Sequence, residues 1–375
     1  MNSKRKICYV VTVAVTIRAF FVSQLRYLAD NGFEVTVICS PDALLSTDLG
    51  GNVRYIPLAI PRGISFVGML RSIFALFRLF KREQFELIQY STPNAAFCSA
   101  LAGWLAGCQK RNYHLMGFRY LGASGVLKWG LKQLERITCR LSTSVECVSA
   151  SNLDFGVAEG IFPEKKTVVV WNGSSGGVDL GKFNFARRNE WRCGVRAALG
   201  YDKEDFIFGF AGRITRDKGV NEILSAFHRL QKPAKLLLVG NAEGLNTLDQ
   251  ALLAMAKRNK DIIFHKSVND IERYFAAMDV LLLPSYREGF GNVIVEAAAV
   301  GTPAIVSNIP GPVDAVEEGK TALTVPPKDP NALLAAMDRL NGRQVFEPAY
   351  CNAFVVGHFD SERLNREILK RKMQL

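Results

Sequence analysis

The sequence predicts an α/β protein built from doubly wound, Rossmann-like domains, and three observations carry that prediction. Short apolar runs alternate with helix-like stretches along nearly the whole chain, the pattern of a parallel sheet with helices on both faces. The runs form two series, separated by the glycine-rich segment NGSSGGVDLGKF at residues 172–183. The length of 375 residues suits two domains, each able to bury a core.

The first series opens with CYVVTVAV. The chain start, MNSKRKICYVVTVAVTI, has the basic-then-apolar order of a signal peptide. No small-residue cleavage site follows and Arg18 ends the run, so a first buried strand is the preferred reading. A helix is expected from about Arg18 to Asn31. EVTVIC, VRYIPL, ELIQY, NYHLM and SVECVS read as further strands, with helices between most of them. Among those helices, ISFVGMLRSIFALFRLFKR (64–82) is apolar with Arg71 and Arg78 on one face. It either packs on the sheet with its cations in water or lies on a membrane surface, inserting Phe74, Phe77 and Phe80. GVLKWGLKQLERITCR (125–140) carries Lys128, Lys132, Arg136 and Arg140 at helical spacing. The second series runs through DFIFGFAG, AKLLLVG, DIIFH, DVLLLP and TPAIVS. The expected domains are 1–171 and 172–357, followed by 358–375 with a polar helix over about Asp360–Lys372.

Composition narrows the function classes. Hydrophobic content of 49% and charged content of 22% belong to a folded globular protein. No apolar run reaches the roughly 18 residues of a membrane-spanning helix. The eight cysteines are scattered and none forms a C-x-x-C pair. That suits reduced thiols in a cytosolic protein, not a disulfide framework or zinc site. The net charge is +12, and residues 1–185 carry 21 Lys/Arg against 12 Asp/Glu. Such a basic half serves nucleic acid, anionic lipid or an anionic substrate. With no zinc-finger spacing or RNA-binding aromatic motif, nucleic acid is not an expected partner.

The chemistry concentrates in SYREGFGNVIVEAAAVG, residues 285–301. It follows a strand and reads as a loop leading into a helix. Gly289 and Gly291 let backbone approach a ligand closely, and the helix starting near Asn292 points amides at it, which favours phosphate. Glu288 and Glu296 can face the same pocket, where they suit sugar hydroxyls better than phosphate. Arg213 and Lys218 flank a loop after FIFGFAG, spaced to converge on one diphosphate, the first as a planar fork and the second as a point charge. No Asp-x-Asp motif is present to hold Mg²⁺, so no metal or other cofactor is expected, and these two cations would stabilise a leaving diphosphate in its place. The loop Thr12–Arg18 follows the first strand. Thr16 or Arg18 there contacts a donor phosphate or an acceptor, or the loop is a plain turn. His114 lines the interdomain cleft or is a core histidine, and Arg119 is a further cleft candidate.

The 285–301 segment resembles the Glu, seven residues, Glu signature of retaining glycosyltransferases of family 4, which have the GT-B fold: two Rossmann-like domains facing a central cleft. FGFAGRITRDKGV (208–220), PAIVSNIPGPVDAVEEGKTALTVP (303–326) and NGSSGGVDLGKF resemble other segments of that family. The match is specific from about residue 166 onward and looser before. The resemblance implies that Glu296 binds both ribose hydroxyls and Glu288 touches the transferred sugar. Gly212 lies in the matching phosphate-binding segment, and Gly291, Asn292 and Val293 would supply phosphate-facing amides. The base would meet the loop His265–Val268, which does not separate uracil from guanine, though a UDP-linked donor is expected. The final helix would cross back to the first domain. Many relatives carry His-Gly where this chain has Met116-Gly117, which puts a histidine-based mechanism in doubt. The implied activity is metal-independent, retaining transfer of a hexose or N-acetylhexosamine from a nucleotide sugar. The expected acceptor is a lipid-linked saccharide at the cytoplasmic face of the membrane, in O-antigen or capsule assembly. The rivals are a GT-B nucleotide-sugar epimerase, and a non-catalytic basic protein that binds membrane or nucleic acid.

Overall fold

The computed structural model describes residues 5–63 and 65–375. The chain divides into two compact units. One runs to Gly176 and adds Glu362–Leu375; the other is Gly177–Ser361. The division after Gly176 falls within the glycine-rich segment 172–183, a few residues past the 171/172 boundary, so the first residues of that segment stay with the first unit.

In the first unit the order is β1 (Arg5–Val10), α1 (Ala14–Phe20), α2 (Val22–Asp30), β2 (Phe33–Cys39), α3 (Leu45–Leu49), β3 (Val53–Pro57), α4 (Phe66–Glu83), β4 (Leu87–Tyr90), α5 (Pro93–Ala106), β5 (Lys110–Leu115), α6 (Gly125–Leu141), β6 (Ser144–Cys147), α7 (Ala150–Ala158) and β7 (Thr167–Val169). These strands make one parallel sheet, ordered β3-β2-β1-β4-β5-β6-β7. Order reverses between β1 and β4, where Ile7–Val10 pairs with Leu87–Tyr90. One face is covered by an apolar cluster around Phe21, Leu25 and Leu28, the other by a cluster around Leu76, Phe80 and Tyr113.

The second unit comprises α8 (Arg188–Ala198), β8 (Ile207–Ala211), α9 (Val220–Arg229), β9 (Lys235–Val239), α10 (Gln250–Arg258), β10 (Ile262–His265), α11 (Ile271–Ala277), β11 (Val280–Leu283), α12 (Asn292–Ala299), β12 (Ala304–Ser307), β13 (Ala322–Val325), α13 (Pro330–Leu340) and α14 (Pro348–His358). Its parallel sheet is ordered β10-β9-β8-β11-β12-β13, reversing between β8 and β11. Arg192 and Arg196 of α8 pair with Asp279 and donate to carbonyls that end α11. These arginines hold a helix C-terminus against the sheet.

Several sequence-based expectations shift. The first helix begins at Ala14, earlier than Arg18, and breaks at Phe21 before α2 resumes. Thr16 and Arg18 therefore sit on a helix, not in a loop. Of the amphipathic 64–82 segment, Ile64 lies outside the described residues, as do Met1–Lys4 of the basic start. Phe80 is buried in the core and Phe77 packs against it, so neither is available for membrane insertion; of the three expected phenylalanines only Phe74 is exposed. All eight cysteines are free, seven of them buried and Cys193 exposed.

The last helix, α15 (Ser361–Gln374), belongs with the first unit from Glu362 onward. It is polar, yet its Lys372 is wholly buried, with Nζ 2.5 Å from Glu146 Oε2 on β6. Asn365 donates to Ser23 Oγ and Arg371 to Ser144 Oγ.

Candidate active site

The strand-order reversal of the second unit places the β8 and β11 loops side by side at the carboxyl edge of the sheet, where open α/β sheets bind ligands. Gly219 makes this approach possible. Its φ is +74°, and a Cβ there would lie 2.1 Å from the Pro284 carbonyl oxygen. Tyr286 N–H then donates to Asp217 O across the two loops.

Lys218 and Glu288 meet at this junction, Nζ to Oε1 2.6 Å, with Ser285 Oγ donating to the same carboxylate at 2.8 Å. Arg213 is far more open, 64% exposed, and its one ion pair among the described residues is with Asp217 at 3.7 Å. The two cations are thus on one loop but have different partners. Sequence reasoning passed over Asp217 and Arg287. Asp217 accepts from Thr215 Oγ1 at 2.6 Å and pairs with Arg287 at 3.2 Å. Burial alone would raise its carboxyl, but the Thr215 hydroxyl and the Arg213, Arg287 and Lys218 cations outweigh that and hold it low. Three cations against two carboxylates leave the cluster with a net positive charge. The signal for Arg287 was its place next to Glu288 in the quoted segment.

Helix α12 starts beside this cluster. Its N-cap Gly291 sits at φ +91° with no side-chain cap, and the first turn, Asn292 and Val293 included, has no acidic residue. That end carries the positive pole of the helix dipole. Gly212, at the end of β8, donates to Val239 O. Glu296 lies one turn further along α12. Its side chain keeps partial solvent access, yet its carboxyl is crowded enough that burial pushes it up to about 7; Lys182 opposes and Glu272 reinforces the shift. Lys182 Nζ lies 3.8 Å from Glu272 Oε2 and donates to Asn269 O, in the loop after β10. The His265 and Tyr274 rings lie tilted against each other with centroids 4.9 Å apart, and Val268 is half-buried in the same loop.

The first unit has its own crevice at the β1/β4 reversal. Thr12 and Thr92 hydroxyls share a hydrogen bond of 2.7 Å across it, and Thr92 is held at φ +66°, a conformation costly for a β-branched residue. Thr16 is buried in α1. Arg18 is taken up by Asp42 and Asp48, both at 2.5 Å. Beside it, Val13, Ala14, Ser40, Asp42 and Arg62 line a cavity of about 390 Å³. Arg119 donates to Asn94 Oδ1, and Asn94 donates to the Pro61 and Gly63 carbonyls. His114 is buried, with Nδ1 3.1 Å from Glu146 Oε1 and Nε2 3.4 Å from Ser175 Oγ. It is a core residue in the Glu146–Lys372 network.

Residues 19–175 match the family described as Glycosyltransferase Family 4, and residues 195–347 match the one described as Glycosyl transferases group 1. The chain belongs to glycosyltransferase family 4. This transferase is 27% identical over 339 residues to the capsular polysaccharide biosynthesis glycosyltransferase CapM of Staphylococcus aureus, covering 90% of this chain and 87% of that one. It is 26% identical over 322 residues to the UDP-Gal:alpha-D-GlcNAc-diphosphoundecaprenol alpha-1,3-galactosyltransferase of Escherichia coli, covering 83% and 81%. Its fold matches sucrose-phosphate synthase from Thermosynechococcus elongatus with a TM-score of 0.80 at 20% identity, over 99% of both chains. The two Rossmann-like units are those of the GT-B fold.

Proposed function

We propose that this transferase moves a hexose or N-acetylhexosamine from a UDP-linked sugar to a lipid-linked saccharide, with retention, in cell-surface polysaccharide assembly at the cytoplasmic face of the membrane. The observation that carries the reading is the convergence of the β8 and β11 loops, which sets Arg213, Lys218 and Arg287 beside Glu288 and beside the N-terminus of α12, where the N-cap is a glycine. A diphosphate meets cations and helix dipole there, and Glu296 accepts hydrogen bonds from the ribose hydroxyls. Arg213 is weakly held, so binding a diphosphate disrupts little. As the sugar departs, charge grows on the diphosphate, and Arg213 and Lys218 stabilise it without a metal. Glu288, fixed by Lys218 and Ser285, touches the transferred sugar. The galactosyltransferase relative, whose name gives UDP-Gal and a diphosphoundecaprenol-linked sugar, supports the acceptor class and the uracil base, and the capsule relative supports the polysaccharide setting.

The test is to incubate the purified chain with UDP- and GDP-sugars, first alone and then with a polyprenyl-diphosphate-linked saccharide. Release of UDP that increases with acceptor, and an α-linked product by NMR from an α-linked donor, is the expected result. Turnover of no nucleotide sugar under either condition would overturn the reading.

A further inference from the structure

The second unit has another crevice, at the edge of its sheet opposite the candidate active site. The segments entering β8, β11 and β12, with the start of α8 and the turn after α13, border a cavity of about 510 Å³. That volume suits a small molecule. The charged groups in its lining are Arg188, Arg192, Lys203 and Arg343 against Glu204, Asp205 and Asp279. Two of the three acids already have partners. Asp279 is shared by Arg192 at 2.5 Å and Arg196 at 2.7 Å. Asp205 lies 3.9 Å from Lys235 Nζ and accepts from Asp202 N–H at 2.8 Å. Arg188, Lys203 and Arg343 make no ion pair among the described residues, and of the lining acids only the exposed Glu204 is left to balance them.

The parts of this crevice are held in place. Arg188 is half-buried, and its Nη1 donates to Val300 O and, at 2.9 Å, to Thr302 Oγ1. Its Nε and Nη2 bond to nothing among the described residues. Burial and the neighbouring Arg192 and Arg196 push its guanidinium down to about 10, although Asp279 pulls the other way. A desolvated cation beside two others is stabilised by an anion. Arg196 fixes the loop that carries Lys203 by donating to the Lys203 and Asp205 carbonyls. Val345 and Phe346 add apolar surface, and the Asn189 and Gln344 amides can both donate to and accept from hydroxyls. Cations for a phosphate, amides for hydroxyls and room for both describe a sugar phosphate.

We propose that this crevice is a second ligand site, for a phosphate monoester of sugar size, bound through Arg188, Lys203 and Arg343. Its occupant bears on the donor through α12. Arg188 holds the Val300 carbonyl, at the C-terminal end of that helix, and the N-terminus of the same helix lies in the candidate active site. A phosphate that draws Arg188 off the carbonyl loosens the last turn of α12, and affinity for the donor diphosphate falls. By linkage the diphosphate weakens the phosphate ligand by the same factor. This last step rests on the transferase reading; the binding itself does not.

Calorimetric titration of the full chain with ribose 5-phosphate, inorganic phosphate and ribose tests it. Ribose 5-phosphate is expected to bind saturably, inorganic phosphate more weakly and ribose not at all. Lys203→Gln/Arg343→Gln should raise the Kd for ribose 5-phosphate by about tenfold or more, with circular dichroism unchanged. Arg213→Ala/Lys218→Ala should leave that Kd in place, because those cations belong to the candidate active site. The opposite pattern would overturn the proposal, since the probe would then occupy the diphosphate site. No saturable binding below about 10 mM would overturn it too, as would inorganic phosphate binding as tightly as the ester. UDP titrated in the presence of ribose 5-phosphate should bind severalfold more weakly, and Lys203→Gln/Arg343→Gln should remove that effect. Unchanged UDP affinity would overturn the coupling through α12. Binding of ribose 5-phosphate without turnover of any nucleotide sugar would sink the transferase reading and leave the second site intact.

Discussion

Glu296 holds its proton to a pH at which an ordinary glutamate has lost it. Burial raises its carboxyl to about 7, with Lys182 pulling the other way and Glu272 adding to the rise. A ribose diol donates hydrogen bonds and is bound best by the carboxylate. Nucleoside diphosphate affinity, read by calorimetry, should therefore fall as pH drops below about 7. Lys182→Met should move that midpoint up and Glu272→Gln should move it down; an affinity flat with pH would show that Glu296 does not meet the diol. Glu296→Ala should cost on the order of 1.5–3 kcal/mol above that pH, where a charged acceptor is lost. Arg213→Ala and Lys218→Ala should lower kcat more than they weaken binding of the ground-state donor, because charge on the departing diphosphate peaks in the transition state. Equal effects on kcat and affinity would mean that the two cations only bind.

At the scale of elements, the buried charges make the sharpest tests. The α15 residue Lys372 and the β6 residue Glu146 form a wholly buried pair. Burial works against the Glu146 anion, but Lys372 and His114 overcome it and hold its carboxyl well below the ordinary range. Removing one partner strands the other: Lys372→Met should cost about 3–5 kcal/mol in urea denaturation. Adding Glu146→Gln should recover part of that loss, and no recovery would mean that the pair is not coupled. On α6, Glu135 is buried and desolvation pushes it up to about 7, with Tyr113 opposing. Its folded value lies above its unfolded one, so its contribution is full below about 4.5 and is lost as pH rises through about 7. That contribution is up to about 3 kcal/mol. Glu135→Gln should flatten the fall in Tm across this window; an unchanged pH profile would assign the fall to other groups.

For the whole molecule, cationic stabilisation of the leaving group predicts turnover that survives EDTA. Loss on chelation, restored by Mg²⁺ or Mn²⁺, would replace Arg213 and Lys218 in that role. Much of the architecture was legible because parallel strands buried on both faces read as unbroken apolar runs, and the GT-B assignment followed from local motifs. The short strands β7 and β13 escaped this reading, since β7 is half-buried and runs straight into the glycine-rich segment. In the candidate site, the sequence determined which residues stand on the β8 and β11 loops, because motif spacing along one chain is a local property. It could not determine that Lys218 reaches Glu288, that Asp217 pairs with Arg287, or that Lys182 comes beside Glu272 and Glu296. Those pairs join segments far apart in sequence, and only the strand order and the close approach at Gly219 bring them together. The same holds for the phenylalanines of α4. Helical spacing put them on a stripe, but which side of that stripe meets the sheet was decided by packing, which buried Phe80 and left Phe66 and Phe74 in solvent.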